Sequence, residues 1–253
     1  MPINYARSLA SRKRSPIANR HLGYALAFIA GAINAGGFLA VQQYTSHMTG
    51  IVSEMADGLV LGHWDLALAG LGGLLSFLAG ATVSALLITY SQRRGMHSRF
   101  ALPLLLEALL LLCFGLLGGV LAGIQGLFVP LTVILLCFIM GLQNATITRV
   151  SNAEIRTTHV TGIITDLGIE LGKLLYWNRA QAVTGARVRV DRPRLLLLTL
   201  LVSYFFAGGV LGALGFQRLG YVATLPLAAM LLLLAIVPAV DDLRFFYRRL
   251  RRR

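Results

Sequence analysis

The sequence predicts an all-α polytopic membrane protein made of two three-span repeats of inverted topology, each carrying an additional broken or re-entrant helix. Three observations point there: six long apolar stretches, a polar motif that occurs twice, and arginine clusters placed beside the apolar stretches. Of the 253 residues, 57% are hydrophobic and only 13% are charged, about half the charged share of soluble domains.

The apolar stretches are 22–41, 66–90, 100–123, 127–147, 195–216 and 221–240. Each is close to the roughly 20 residues a helix needs to cross the hydrocarbon layer. Six of them exclude a soluble core. The first is too long for a cleaved leader and runs into Gln42-Gln43-Tyr44 rather than a small-residue cleavage site, so it reads as a retained helix. The expected organisation is a basic segment 1–20, repeat 1 over 21–123, repeat 2 over 127–240 and a basic tail 241–253.

The duplication is visible in two blocks. Phe28-Ile29-Ala30-Gly31-Ala32-Ile33-Asn34-Ala35 returns as Phe138-Ile139-Met140-Gly141-Leu142-Gln143-Asn144-Ala145, and Thr45-Ser46-His47-Met48-Thr49-Gly50-Ile51 returns as Thr157-Thr158-His159-Val160-Thr161-Gly162-Ile163. The offsets are 110 and 112 residues. Paired halves with interrupted hydrophobic segments point to a transporter's binding site.

Charge placement orients the chain. Nineteen of the 23 Lys and Arg fall in 1–20, 91–99, 178–194 and 241–253, all flanking apolar stretches, where short basic loops mark the cytoplasmic side. These segments also suit anionic lipid headgroups, and the net charge of +13 is therefore read as a membrane feature, not as nucleic-acid binding. The segments 47–62 and 159–177 are helix-like but carry Glu54, Asp57, Asp166, Glu170 and Lys173. If neither crosses, six crossings put every basic segment on one side and the second repeat enters inverted. If both cross, eight crossings give parallel four-span halves and misplace two basic loops. Seven would put the C-terminal arginines outside. Six is preferred, with eight as the alternative.

The repeated polar positions are the candidate solute or ion site: Asn34, His47, Thr49, Gly50 and Glu54 in the first copy, Asn144, His159, Thr161, Gly162 and Asp166 in the second. His, Gly and acid step by three and four, so they share a helical face. Glycine permits close backbone approach, the threonines can cap free N–H groups, and helix N-termini favour anions. Histidine changes charge near neutral pH. The opposing reading is interhelical packing, which such polar contacts also serve. Asp57, Glu170 and Lys173 lack same-type counterparts and read as interface residues. Glu107 reads as an acid near a helix boundary that snorkels or caps. The glycines at 115, 119 and 123 and at 208 and 212 read as helix packing, and Cys113 and Cys137 as small buried residues without metal-ligand spacing.

Gly31-Ala32-Ile33-Asn34-Ala35-Gly36-Gly37-Phe38, Ser46-His47-Met48-Thr49-Gly50, Gly141-Leu142-Gln143-Asn144-Ala145 and Arg156-Thr157-Thr158-His159-Val160-Thr161-Gly162, with Thr165-Asp166-Leu167-Gly168, occur in order. On these blocks the chain resembles the YoaK-like DUF1275 family of small integral membrane proteins, over roughly residues 23–240. The resemblance implies a bacterial inner-membrane protein of about six spans; the charge placement puts its N- and C-termini in the cytoplasm. It supplies no substrate or mechanism. Where the family often has an acid the chain has Asn34, and where it often has asparagine the chain has Ile51.

The function expected is a secondary transporter or permease for a small polar or anionic solute, its site between the repeats near the bilayer midplane. The alternatives are a channel and a non-transporting scaffold or accessory subunit. No enzyme is expected, since neither copy offers a nucleophile–base pair, and no cofactor or metal is expected. His47, Glu54, His159 and Asp166 are chemically competent metal ligands only if all four converge. The partners expected are the lipid bilayer and the solute, with a homo-oligomer left open.

Overall fold

The structure, a computed structural model, describes residues 16–96, 98–121, 125–151, 155, 157–176 and 187–250. The helices are α1 (Pro16–Val41), α2 (Met48–Leu61), α3 (Trp64–Arg93), α4 (Ala101–Leu121), α5 (Gln125–Val150), α6 (Val160–Leu175), α7 (Arg192–Leu219) and α8 (Thr224–Leu250), with a 3₁₀ turn at Gly220–Ala223. Four apolar stretches are long enough to cross a membrane: Ile17–Val41, Trp64–Arg93, Pro130–Val150 and Arg192–Ile236, the last including α7 and the first half of α8. Large apolar side chains such as Leu68, Leu78, Leu86, Phe206 and Leu233 are more than half exposed, as lipid-facing residues are. This is an all-helical membrane protein.

The six long helices coincide with the six apolar stretches. The two short ones are the charged segments. α2 has 14 residues and α6 has 16, about 21 and 24 Å at 1.5 Å per residue. Both fall short of the ~30 Å hydrocarbon layer.

How the chain reaches α2 is set by local geometry. Gln42 closes α1 in the left-handed region (φ 56°), and the chain then doubles back along the helix it has just left. Tyr44 stacks on Phe38 at 4.5 Å, and Ser46 Oγ donates to Asn34 Oδ1 at 2.8 Å. α2 therefore starts two turns below the end of α1. From there it climbs against α3, with Ile51 beside Gly73, Met55 beside Gly70 and Gly58 beside Ala67. Gly62 (φ 78°) turns the chain into α3. The second repeat does the same. Ser151 bonds Ile155 in both directions, its hydroxyl donating to the Ile155 carbonyl and accepting from the Ile155 N–H. Thr158 Oγ1 then donates to Asn144 Oδ1 at 2.6 Å.

The repeats exchange partners. The most extensive helix contacts are α1 with α7 and α3 with α5. Each pairs the first long helix of one repeat with the second long helix of the other. Both seams use a Phe-X-X-Gly motif, at Phe28–Gly31, Phe77–Gly80, Phe138–Gly141 and Phe205–Gly208. A side chain on Gly31 would strike the Phe205 carbonyl, and one on Gly208 would strike that of Phe28. Gly141 meets the Phe77 carbonyl and Gly80 that of Phe138 in the same way. Small residues permit this backbone approach. Gly212 likewise lies against Ala32, and Gly115 against Thr224 and Tyr221. Gly119 and Gly123 fall outside the described side chains.

Relative directions follow from these contacts. Tyr24 stacks on Tyr204 at 5.4 Å, Gly31 meets Phe205, and Gly36 meets Phe216, so α1 and α7 run parallel. Ser76 bonds the Ile134 carbonyl and Ser84 bonds Thr146, so α3 and α5 run parallel. Between α1 and α5 the order reverses: Gly23 meets Ile147, Gln143 bonds the Leu26 carbonyl, and Gly37 meets Leu136. α1 and α5 therefore run antiparallel.

Candidate functional site

The two doubled-back segments meet. A cleft of about 710 Å³ is lined by Asn34, Ser46, His47 and Thr49 from one repeat and by Thr158, His159, Thr161 and Gly162 from the other, with Phe77 and Phe205 of the Phe-X-X-Gly seams. Both histidines are exposed to it.

Each helix start is aimed at this cleft and left open. His47 and His159 occupy the N-cap positions of α2 and α6, and neither makes a side-chain cap. The first bonds inside the helices are Ile51 N–H to the His47 carbonyl and Ile163 N–H to the His159 carbonyl. The N–H groups of residues 48–50 and 160–162 therefore have no intrahelical acceptor. The expectation that threonines cap these starts is corrected. Thr49 and Thr161 lie inside the first turn, two residues past the N-cap position. Ser46 and Thr158 spend their hydroxyls on Asn34 and Asn144 instead. Two helix N-termini, each with a positive dipole end, thus converge beside two imidazoles.

Asn34 and Asn144 have matching roles. Each carbonyl oxygen receives the hydroxyl that precedes the histidine, and Asn144 also donates Nδ2–H to the Met140 carbonyl at 2.8 Å. They latch the doubled-back segments to α1 and α5. Thr45 and Thr157, each 1% exposed, match as well. Neither hydroxyl has a hydrogen-bond partner.

The acids do not follow the symmetry. Asp166 lines a second cleft of about 690 Å³ with Arg20, Asp191 and Arg194, and His159 and Gly162 line both clefts. Arg194 pairs with Asp166 at 3.0 Å. Glu54 lines neither cleft and is exposed on α2. Gly50 is near the His47 ring but is outside the cleft lining. Among the described residues no three His, Cys, Asp or Glu side chains gather as a metal site requires. Cys137 is buried and Cys113 half-buried, both free thiols.

Two further acids depart from expectation. Glu170 is buried against α7, with Lys173 at 2.7 Å and the Asp191 N–H at 3.0 Å. The hydrogen bond from Lys173 holds its carboxyl below the ordinary range. It is a structural tie between α6 and the start of α7 rather than an interface residue. Glu107 does not snorkel. It is completely buried on α4, six residues past the helix start, with Gln143 as the polar side chain acting on it.

An all-helical membrane protein with an internal repeat and a polar cleft between its halves is the class this geometry defines. The chain belongs to the family described as "Protein of unknown function (DUF1275)", whose family model matches residues 22–237. Comparison with curated proteins and with solved structures returns no match.

Proposed function

We propose that this protein is a secondary transporter for a small polar or anionic solute, held in the cleft between its two repeats. The observation that carries the reading is the convergence of two uncapped helix starts, with His47 and His159, on one cleft. Free N–H groups at a helix N-terminus bind anions, and half-helices meeting near the midplane are how inverted-repeat transporters hold substrate.

The inverted arrangement has independent support. Equivalent helices α1 and α5 run antiparallel, and α2 and α6 are too short to cross. Tracing directions from the contacts places the starts of α1, α4 and α7 and the ends of α3, α5 and α8 at one end of the bundle. In sequence the basic segments adjoin those same ends, which the positive-inside rule marks as cytoplasmic. Glu54, Asp57 and Asp65 lie toward the other end.

Alternating access is favoured over an open channel by a difference between the halves. α2 is seated on α3, glycine against backbone at Gly58. A side chain on Gly162, Gly168 or Gly172 of α6 would meet nothing within 4 Å, and the second cleft opens between α6, α7 and Arg20 of α1. This asymmetry supports a site reached from the basic side, as one state of an alternating-access cycle would be. In this reading the Asp166–Arg194 pair borders the open entrance.

The test is uptake into proteoliposomes of inorganic phosphate, sulfate and a panel of small carboxylates. Saturable uptake with counterflow is expected for at least one. It is lost in His47→Ala and His159→Ala at unchanged membrane expression. Normal uptake in both variants would remove the site, and flux that never saturates would replace the transporter with a channel.

A further inference from the structure

Glu107 of α4 and Gln143 of α5 form a buried polar pair that the cleft does not use. Both residues are 0% exposed. Neither oxygen of the Glu107 carboxyl has a hydrogen-bond partner, and neither does Gln143 Oε1. The other end of the Gln143 amide is engaged, Nε2 donating to the Leu26 carbonyl of α1 at 3.4 Å. A carboxylate here would be a buried charge with no counter-ion, which is costly inside a membrane protein. The titratable side chains on the elements packed against α4 are Asp65, Tyr90 and Arg93 of α3, Cys137 and Arg149 of α5 and Tyr221 of the turn. None of them acts on the Glu107 carboxyl, and the described side chains of α8 include no titratable group.

One proton resolves two of these three orphans together, one Glu107 oxygen and Gln143 Oε1. A neutral carboxyl has one O–H to donate, and Gln143 Oε1 is an acceptor in want of a donor. We infer that Glu107 is a proton-binding site, its carboxylic acid donating to Gln143 Oε1 in the core of the bundle. Loss of the proton leaves a carboxylate that calls for Nε2–H in place of Oε1, and the Gln143 amide turns to offer it. That turn gives up the Leu26 carbonyl. The protonation state of Glu107 is thereby read at the α1–α5 contact, between the helices whose Asn34 and Asn144 latch the site. Gln143 stands beside Asn144 in sequence, and Thr158, bonded to Asn144, lines the cleft. Resting on the transporter reading, this makes the proton the coupling ion.

The direction of the pH effect follows from linkage. The folded protein holds a proton that the unfolded chain releases in the ordinary carboxyl range, about pH 4.3. Its contribution to stability is present at acid pH and is lost as pH rises through the folded-state titration.

The test uses the full chain in lipid nanodiscs. Infrared spectra at neutral pH are expected to show the carbonyl stretch of a protonated carboxyl, lost in Glu107→Gln and shifted in Gln143→Leu. Glu107→Gln keeps size and neutrality, so it is expected to fold and to melt with a weaker pH dependence than wild type. An identical carboxyl band in wild type and Glu107→Gln, or no such band in wild type, overturns the proton site. Neither readout needs a solute, so they judge the proton site even if no anion of the panel is carried. Where one is carried, proton movement accompanying its uptake is expected in wild type and absent in Glu107→Gln. Solute uptake without proton movement in wild type overturns the coupling.

Discussion

At the scale of single residues, the duplicated polar positions divide by the work they do. Asn34 and Asn144 hold backbone segments in place, while His47 and His159 line the cleft. Polar contacts between membrane helices contribute about 0.6 kcal/mol each on average. Asn34→Ala and Asn144→Ala should therefore lower thermal stability in detergent modestly and by similar amounts. His47→Ala should leave the melting temperature nearly unchanged, because that side chain caps nothing. A large loss of stability in His47→Ala would make it a packing residue. The roles of the two asparagines follow from sequence only in part: their repetition is visible, but their partners lie 12 and 14 residues away across a chain reversal.

At the scale of helices, four glycines set how closely the repeats approach. Gly31, Gly80, Gly141 and Gly208 each face a phenylalanine carbonyl of the opposite repeat. The Cβ of alanine has no room there, so the helices must separate. Overpacking of this kind typically costs about 1–3 kcal/mol. Gly31→Ala and Gly141→Ala should each destabilise by roughly that amount in thermal unfolding, while Gly162→Ala, with open space around it, should not. The signal for this seam was present in the sequence as four Phe-X-X-Gly motifs. Only the two in the obvious repeat blocks stood out, because those at Phe77 and Phe205 sit in helices whose surrounding residues have diverged. The swap of partners between repeats has no local signature at all.

For the whole molecule, the number of crossings is the decisive quantity, and two positions separate the alternatives. With six crossings, residue 63 between α2 and α3 lies outside and residue 94 after α3 lies in the cytoplasm. With eight, the two exchange sides. Single-cysteine variants His63→Cys and Arg94→Cys, in a background lacking Cys113 and Cys137, should label with an impermeant thiol reagent from outside only at 63. Labelling from outside only at 94 would establish the parallel eight-span arrangement. Both positions are exposed, so access is not limited by burial.

The sequence by itself determined the membrane class, the six long helices and the duplication. These depend on composition and on period, which are local and additive along the chain. It also selected His47 and His159, since a polar motif kept twice inside apolar surroundings is legible without a fold. Only the tertiary structure decided which matched residues share a cleft. Glu54 and Asp166 occupy equivalent positions in the two copies, yet one points to open surface and the other to an arginine on α7. That difference arises because α2 is seated on α3 while α6 is held to α7 through polar contacts, and seating is a property of packing between helices. Glu107 shows the same limit. An acid two turns into an apolar helix could reach the surface or lie in the core, and its neighbours in three dimensions, Gln143 and the turns of α5, settled which.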